Sequence, residues 1–560
     1  MERVQMVHEP SPHPKLFSGV MGKVRVMIEG VKPEIDGGRF PIKRVVGEEV
    51  AVEADIFVDG HDLLSAVLLY RREEDPQWWE TPMEFLVNDR WRGKFQVSQL
   101  GHYRYTVMGW VDGFKSWRQG LSKKVQAGQE VAVDLLGGAA LIAQASQRAT
   151  GPDAGTLQEW ADTLEDSSIP LLSRVELALS EEVASLVARY PDRQLASTYA
   201  RELAVVVDRE RARFSAWYEM FPRSCSPRPG QPGTFNDCEA RLPYIAEMGF
   251  DVLYWPPIHP SGVTQRKGKN NSVTPTPDDT GVPWAIGGKE GGHKSVHPQL
   301  GTLEDFRNFV ARAKEYGIDV ALDIAFQCSP DHPYVREHPE WFRKRPDGAI
   351  QYAENPPKKY EDIYPFDFET EDWPALWEEL KSIFMFWAQQ GVHIFRVDNP
   401  HTKAFPFWEW CIAEVKKIYP EAIFLSEAFT RPKVMYRLAK LGFTQSYTYF
   451  AWRNTKLDLT QYFTELTRTE VREFFRPNPW PNTPDILTEY LQTGGRPAFI
   501  ARLVLAATLG ASYGIYGPAF ELCESRPREP GSEEYLDSEK YQVRHWDLNY
   551  PNSLKEIIAL

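Results

Sequence analysis

Residues 392–402 read VHIFRVDNPHT. An apolar run carries an arginine and an aspartate two positions apart, then breaks at Asn-Pro, as a buried strand does where it enters a turn. Side chains alternate along a strand, so Arg396 and Asp398 project to the same side. Short apolar runs of this kind recur before and after it: FSAWYEMF (214–221), DVLYWPPI (251–258), DVALDIAF (319–326), AIFLSEAF (422–429), QSYTYF (445–450), a weak one near EFFRP (473–477), and ASYGIYG (511–517). Amphipathic stretches such as LEDFRNFVARAKEYG and WPALWEELKSIFMFWAQQG lie between them, the second closing on a glycine as helix C-termini often do. Eight such repeats predict a (β/α)8 TIM-type barrel with its site at the C-terminal ends of the strands. A doubly wound sheet is the alternative, but no G-x-G-x-x-G follows any strand, and AIGGKEGGH lacks the Walker spacing.

Upstream the pattern changes twice. Residues 20 to about 118 are β-branched and aromatic segments interrupted by Gly, Asp and Pro, as in a β-sandwich. From about 130 to 205 the chain is Ala/Leu/Glu-rich with helical spacing. The expected fold class is therefore multidomain: a sandwich over 1–120, a small all-α bundle over 121–207, and the barrel over 208–560. Loop insertions are expected at about 259–302 and 327–371, and connections of that length are usually functional.

Bulk composition excludes several classes. The 560 residues are 42% apolar and 25% charged, with net charge −14, which argues against a general nucleic-acid or anionic-membrane binder. Five scattered cysteines without a C-x-x-C pair suggest a reduced protein with no structural zinc. MERVQMVHEPSPHPKLF has no apolar signal core, and no apolar run approaches membrane-spanning length, so a cytoplasmic protein is expected. Eighteen tryptophans and 24 tyrosines are a high aromatic load, mostly core, with surface members suited to stacking on sugars.

Three acids fall at the predicted C-terminal face: Asp398 after strand 4, Glu427 after strand 5 and Asp485 past strand 7. Glycosyl transfer with retention needs one ionised carboxylate and one protonated carboxyl about 5–5.5 Å apart, and adjacent parallel strands lie about 4.8 Å apart. Arg396 would keep Asp398 ionised. Cations also cluster in three of the loops, RKGKNN (266–271), NPPKKYED (355–362) and SEKYQVRHW (538–546), on an otherwise acidic chain. An anionic ligand such as a phosphate would explain them.

With ALDIAFQCS, FRVDN, FLSEAF and NTPD in order over 214–550, the chain resembles the α-amylase clan of retaining glycosidases and transglycosidases. The resemblance implies Asp398 as nucleophile, with Arg396 its partner, Glu427 as acid/base and Asp485 as transition-state stabiliser. Gln327-Cys328 and Pro484-Asp485 stand where many amylases have Asn-His and His-Asp, which argues against ordinary starch hydrolysis. RKGKNN, AENPPKKYEDIYP, FRVDNPHTKAF, AFTRP, FAWRNTK and SEKYQVRHWDL resemble one branch, the α-1,4-glucan:maltose-1-phosphate maltosyltransferases. That likeness implies transfer of maltosyl units from maltose 1-phosphate to α-1,4-glucans, with no metal and no organic cofactor. It implies a homodimer formed through the N-terminal domains. Implied donor and phosphate contacts are Lys267 and Gln327, then Asn355, Lys358, Tyr360 and Asp362, then Asn399, Lys540 and Tyr541. The family continues into a C-terminal β-sandwich, whereas this sequence stops at LNYPNSLKEIIAL, so truncation in the last barrel helix is expected. A hydrolase or trehalose-forming isomerase of the same clan, and a non-catalytic glucan-binding scaffold, are the alternatives.

Overall fold

The computed structural model describes residues 22–560. The reading of the N-terminal leader MERVQMVHEPSPHPKLF lies outside the described residues. The chain divides into two compact units, essentially 22–206 and 207–560 apart from short exchanged segments near 43–46 and 99–101.

In the first unit, antiparallel strands form two sheets. One runs Met27–Lys32, Glu49–Phe57, Arg90–Gln96, Glu84–Phe85; in the other Gly101–Val111 pairs with Leu64–Arg72, which pairs with Trp79–Pro82. Alternation is clear in Glu49–Phe57, where Val50, Val52, Ala54 and Ile56 are buried and the residues between them are more exposed. Five helices follow, with a core that includes Leu121, Leu135, Ile142, Leu157, Leu164 and Val183. Two elements differ from expectation. The β pattern expected to about 118 ends at Val111, because Asp112 caps a helix over Gly113–Gln126 by accepting the Lys115 N–H at 2.9 Å. The helical pattern expected to 205 gives way to a strand over Leu203–Asp208, whose β-branched LAVVVD suits a sheet.

The second unit holds eight parallel strands, here numbered β1 (Ser215–Glu219), β2 (Val252–Trp255), β3 (Asp319–Ile324), β4 (Ile394–Asp398), β5 (Ile423–Glu427), β6 (Gln445–Tyr447), β7 (Pro477–Asn478) and β8 (Ser512–Tyr516). From β1 to β7 each strand pairs with the next, and β8 pairs with β1. The ring is almost closed, with the Gly514 N–H on β8 donating to the Pro479 carbonyl just past β7 at 3.1 Å. β7 lies a few residues later than EFFRP suggests, because Phe474 and Phe475 are buried beside a 3-10 turn over Glu470–Glu473 instead.

Strand alternation builds the barrel's two faces. Trp217, Val252, Tyr254, Ala321, Ile394, Leu425, Tyr447 and Trp480 share one buried cluster. The intervening Leu253, Trp255, Leu322, Phe395 and Phe424 belong to a second cluster with the surrounding helices, where Trp255 stacks on Phe309 at 4.3 Å. The Trp480 ring fills so much of the barrel that a Cβ on Gly514 would lie 2.2 Å from it, so only glycine fits there. Helix Trp373–Gln389 buries Leu376, Leu380, Ile383, Phe384 and Trp387, one face at helical spacing. Helix Leu303–Glu315 starts at a reciprocal cap, with Thr302 and Asp305 each accepting the other's backbone N–H. No helix among the described residues is long and apolar enough to cross a membrane.

Candidate active site

The inward positions at the C-terminal ends of the strands are polar. Register pairs Asp323 with Arg396 and Asp398 with Glu427. Arg396 sits at the centre, its side chain only 8% exposed. Its Nη1 donates to Asp323 Oδ2 at 2.9 Å and to Asp398 Oδ1 at 2.8 Å, and Nη2 lies 3.6 Å from Glu427 Oε1. Burial disfavours this guanidinium's charge, but Asp323 and Glu427 more than offset it, and Arg396 is held well above its ordinary range. One permanently charged side chain therefore gathers three carboxyl groups from three consecutive strands.

The surroundings then separate those acids. Asp323 is fully buried, and its Oδ2 also accepts Tyr254 Oη at 2.7 Å and Trp284 Nε1 at 3.0 Å. Burial raises it to about 6 against the pull of Arg396. Asp398 accepts at both oxygens, from Arg396 and from Asn399 Nδ2 at 3.2 Å. Glu427 is raised to about 8, chiefly by burial; Arg396 opposes the shift and the Asp398 carboxylate adds to it. Glu427 accepts the Asn399 N–H at 3.1 Å. Asn399 adopts the left-handed conformation (φ 43°, ψ 51°) that asparagine tolerates, so the turn after β4 aims its N–H back at β5. Lys403 stands beneath that turn, Nζ lying 3.2 Å from the Asn399 carbonyl and 3.4 Å from that of Asp398.

The lysine loops are engaged with acids. Lys540 Nζ bonds Asp485 Oδ1 at 2.6 Å and lies 5.5 Å from the Trp284 ring centroid. Burial lowers the Lys540 ammonium's pKa, but Asp485 overcomes this and the net shift is upward. Lys267, buried, pairs with Glu361. Asp362 is buried with Oδ2 unpartnered; burial raises its carboxyl while Lys267 and Lys540 both pull it down, so the loops after β2, β3 and β8 converge here. Gln327 donates to the Trp284 carbonyl at 3.2 Å, and Tyr541 is buried. Asn355 and Lys358 are register partners in an exposed hairpin that ends at the half-buried Tyr360. The structure thus gathers the acids with Lys540 and Gln327 through Trp284, whereas the Lys358 ammonium has no hydrogen-bond or ion-pair partner among the described residues.

Several contributors carry no sequence signal. Trp284 lies mid-loop, without periodicity, yet touches Asp323, Gln327 and Lys540. Glu219, ending β1, is 1% exposed with Oε2 unpartnered; burial raises it well above the carboxylate range, making it a neutral acid beside the cluster. His293, Cys328 and His332 bring metal-type ligand atoms within 4.8 Å of one another. Their ring nitrogens already have partners. The Tyr334 N–H donates to His332 Nδ1, so His332 Nε2–H faces His293 Nδ1 at 3.0 Å and His293 Nε2–H faces the Ala325 carbonyl at 2.9 Å. Burial lowers both imidazoles to about 3, so they are neutral packing groups.

A carboxyl pair on adjacent strands, one member raised by burial, suits acid/base and nucleophilic chemistry at a sugar's anomeric carbon. Comparison with known proteins places the chain. A family model described as α-1,4-glucan:maltose-1-phosphate maltosyltransferase, domain N/S, matches residues 24–209, and one described as α-amylase, catalytic domain, matches 190–432. A protein of Chlorobaculum tepidum with the former name is 58% identical over 539 residues, spanning 96% of this chain and 80% of its own. Proteins of that name from Methylacidiphilum infernorum (55% over 545 residues, 97% and 81%) and Myxococcus xanthus (54% over 542, 95% and 81%) are similarly related. The chain belongs to the α-1,4-glucan:maltose-1-phosphate maltosyltransferase family, glycosyltransferases whose catalytic barrel is of the α-amylase type.

Proposed function

We propose that this protein transfers maltosyl units from α-maltose 1-phosphate to the non-reducing 4-hydroxyl of α-1,4-glucans by double displacement. The observation that carries the reading is the Asp398–Glu427 pair, set side by side on β4 and β5 around Arg396, with Glu427 protonated near neutrality. Asp398 attacks the anomeric carbon, the bond to the phosphate oxygen breaks, and Glu427 supplies a proton to that oxygen. The product is a β-maltosyl ester on Asp398. Glu427, now ionised, takes the proton of the acceptor 4-hydroxyl as that oxygen attacks the ester's anomeric carbon. Two inversions give net retention. Asp485, exchanging its bond to Lys540 for sugar hydroxyls, stabilises the flattened ring, and Lys540 and Lys358 are then free to meet the phosphate.

The test is phosphate release from maltose 1-phosphate with and without glycogen, together with trapping of a 2-fluoromaltosyl adduct. Acceptor-dependent release and an adduct on Asp398 are expected. Equal release without glycogen would make the enzyme a hydrolase, and no adduct would favour a binding scaffold. Lys358→Ala raises the donor KM on the order of tenfold, as loss of one charge-assisted bond does, and leaves use of maltosyl fluoride unchanged. Equal loss with both donors removes Lys358 from the phosphate.

Proton occupancy of Glu427 sets the pH dependence. The acid form is needed first, so kcat/KM falls about tenfold per unit above pH about 8. The folded value lies above the usual 4.5, so the folded protein holds the extra proton. That contribution to stability is full below about 4.5 and is lost as pH rises through about 8. Glu427→Gln therefore loses less stability than wild type between those limits. Parallel stability–pH curves for the two proteins would contradict the assignment.

A further inference from the structure

The first turn past β1 bridges two other loops of the barrel mouth. Pro222 opens a single 3-10 turn over Pro222–Ser224, and its ring fixes the turn's first φ. The Arg223 carbonyl accepts the Gly233 N–H at 2.8 Å, which ties this arginine's backbone from the other side. Both terminal nitrogens of its guanidinium then go to backbone. Nη1 donates to the Gly281 carbonyl at 3.0 Å, in the loop after β2, and Nη2 donates to the Glu539 carbonyl, in the loop after β8. Burial lowers Arg223 to about 10, with Glu539 and Tyr516 opposing the shift, so it stays charged at neutral pH.

Both carbonyls adjoin groups of the site. Glu539 immediately precedes Lys540, whose ammonium bonds Asp485 and lies 5.5 Å from the Trp284 ring centroid. Gly281 comes three residues before Trp284. The Glu539 side chain is held as well, accepting from Tyr516 at the end of β8, and Ser224 Oγ accepts the Arg544 N–H at 3.2 Å. An arginine acting only as a counter-charge would face a carboxylate. Two carbonyls from separate loops instead use the fixed angle of the guanidinium fork, which sets the spacing between those loops. A reciprocal Asn270–Asp537 pair, at 2.9 and 2.8 Å, joins the same loops independently, so they stay together when Arg223 is changed.

We propose that Arg223 is a positioning residue for Lys540, holding its ammonium beside Trp284 where it can exchange Asp485 for the donor's phosphate. The proposal rests on the transfer reading above and adds to it the group that sets the lysine's reach. Lysine's stem is flexible, so the place of its ammonium depends on where the backbone and the partners put it. A misplacement of about 1 Å is enough to weaken binding and slow a reaction. Arg223 itself touches no substrate in this scheme.

Arg223→Lys, which keeps the charge but cannot fork across two carbonyls, is the primary test in the full chain, with Arg223→Met as a second variant. The KM for maltose 1-phosphate rises about tenfold, while use of maltosyl fluoride, which has no phosphate, is unchanged. In a Lys540→Ala background the same change adds less than about twofold, because the lysine it positions is gone. Acetic anhydride labelling of Lys540, followed by peptide mass spectrometry, speeds up about tenfold in Arg223→Lys. Lys416, paired with Asp208, is the internal control and keeps its wild-type labelling rate. An equal loss with both donors overturns the proposal, as do effects that simply multiply in the double variant. Unchanged labelling of Lys540 overturns it too, and so does faster labelling of both lysines, which would mean general loosening. If wild type releases no phosphate from maltose 1-phosphate, the transfer reading fails, while the labelling rates still decide whether Arg223 positions Lys540.

Discussion

Asp398→Ala lowers kcat by about 10⁴–10⁶, the range seen when a nucleophile is removed from a site that otherwise keeps its binding groups. The protein stays folded, because Arg396 keeps Asp323 at 2.9 Å and Glu427 at 3.6 Å as counter-charges. Removing the Asp398 carboxylate also removes one of the groups that raise Glu427, so the remaining acid titrates at lower pH. The diagnostic readouts are loss of the covalent 2-fluoromaltosyl adduct and partial rescue by azide, a small external nucleophile that fits the space left by the carboxylate. A normal phosphate burst from Asp398→Ala would remove it from the nucleophile's role.

Asp323→Ala carries the largest expected effect on stability. Its Oδ2 accepts Arg396, Tyr254 and Trp284 together, so alanine leaves a buried guanidinium, a phenol and an indole without their acceptor. Breaking a buried pair by removing one partner costs about 3–5 kcal/mol. Asp398 keeps one bond to Arg396, which places the loss at the lower end of that range. Asp323→Asn, which retains an acceptor oxygen, destabilises less. Urea unfolding of the three proteins at pH 7 checks the order. Activity falls as well, on the order of 100-fold, because Arg396 and Trp284 lose the anchor that orients them toward Asp398 and Lys540. Asp323→Ala with a wild-type urea midpoint would show that Arg396 is held by something other than this carboxylate. Lys358→Ala, at an exposed hairpin, serves as the control that leaves the midpoint unchanged.

The barrel was legible because its strands are short apolar runs bounded by turns, a pattern that survives without tertiary information. β7 was legible only in outline, since the two phenylalanines that drew attention to EFFRP are buried beside a 3-10 turn and the two-residue strand starts at Pro477. The helix Gly113–Gln126 was missed because its N-cap, Asp112, follows directly on an apolar strand and resembles a turn residue. Leu203–Asp208 went the other way, its β-branched residues overlooked at the end of a long helical stretch.

For the site, the sequence alone determined that Arg396 and Asp398 share a face, since residues two apart on a strand must. It also set Asp398 and Glu427 at the ends of consecutive strands, which the register makes direct neighbours. Tertiary structure alone decided which acid carries the proton, because burial rather than sequence position raises Glu427 to about 8. It likewise decided the partners of the lysines. Lys267 meets Glu361 across 94 positions and Lys540 meets Asp485 across 55, and no local pattern encodes where two loops of that separation converge. Trp284 joins these groups for the same reason: its neighbours are chosen by the packing of a long loop over the barrel mouth, where neither helical nor strand period constrains a side chain's direction.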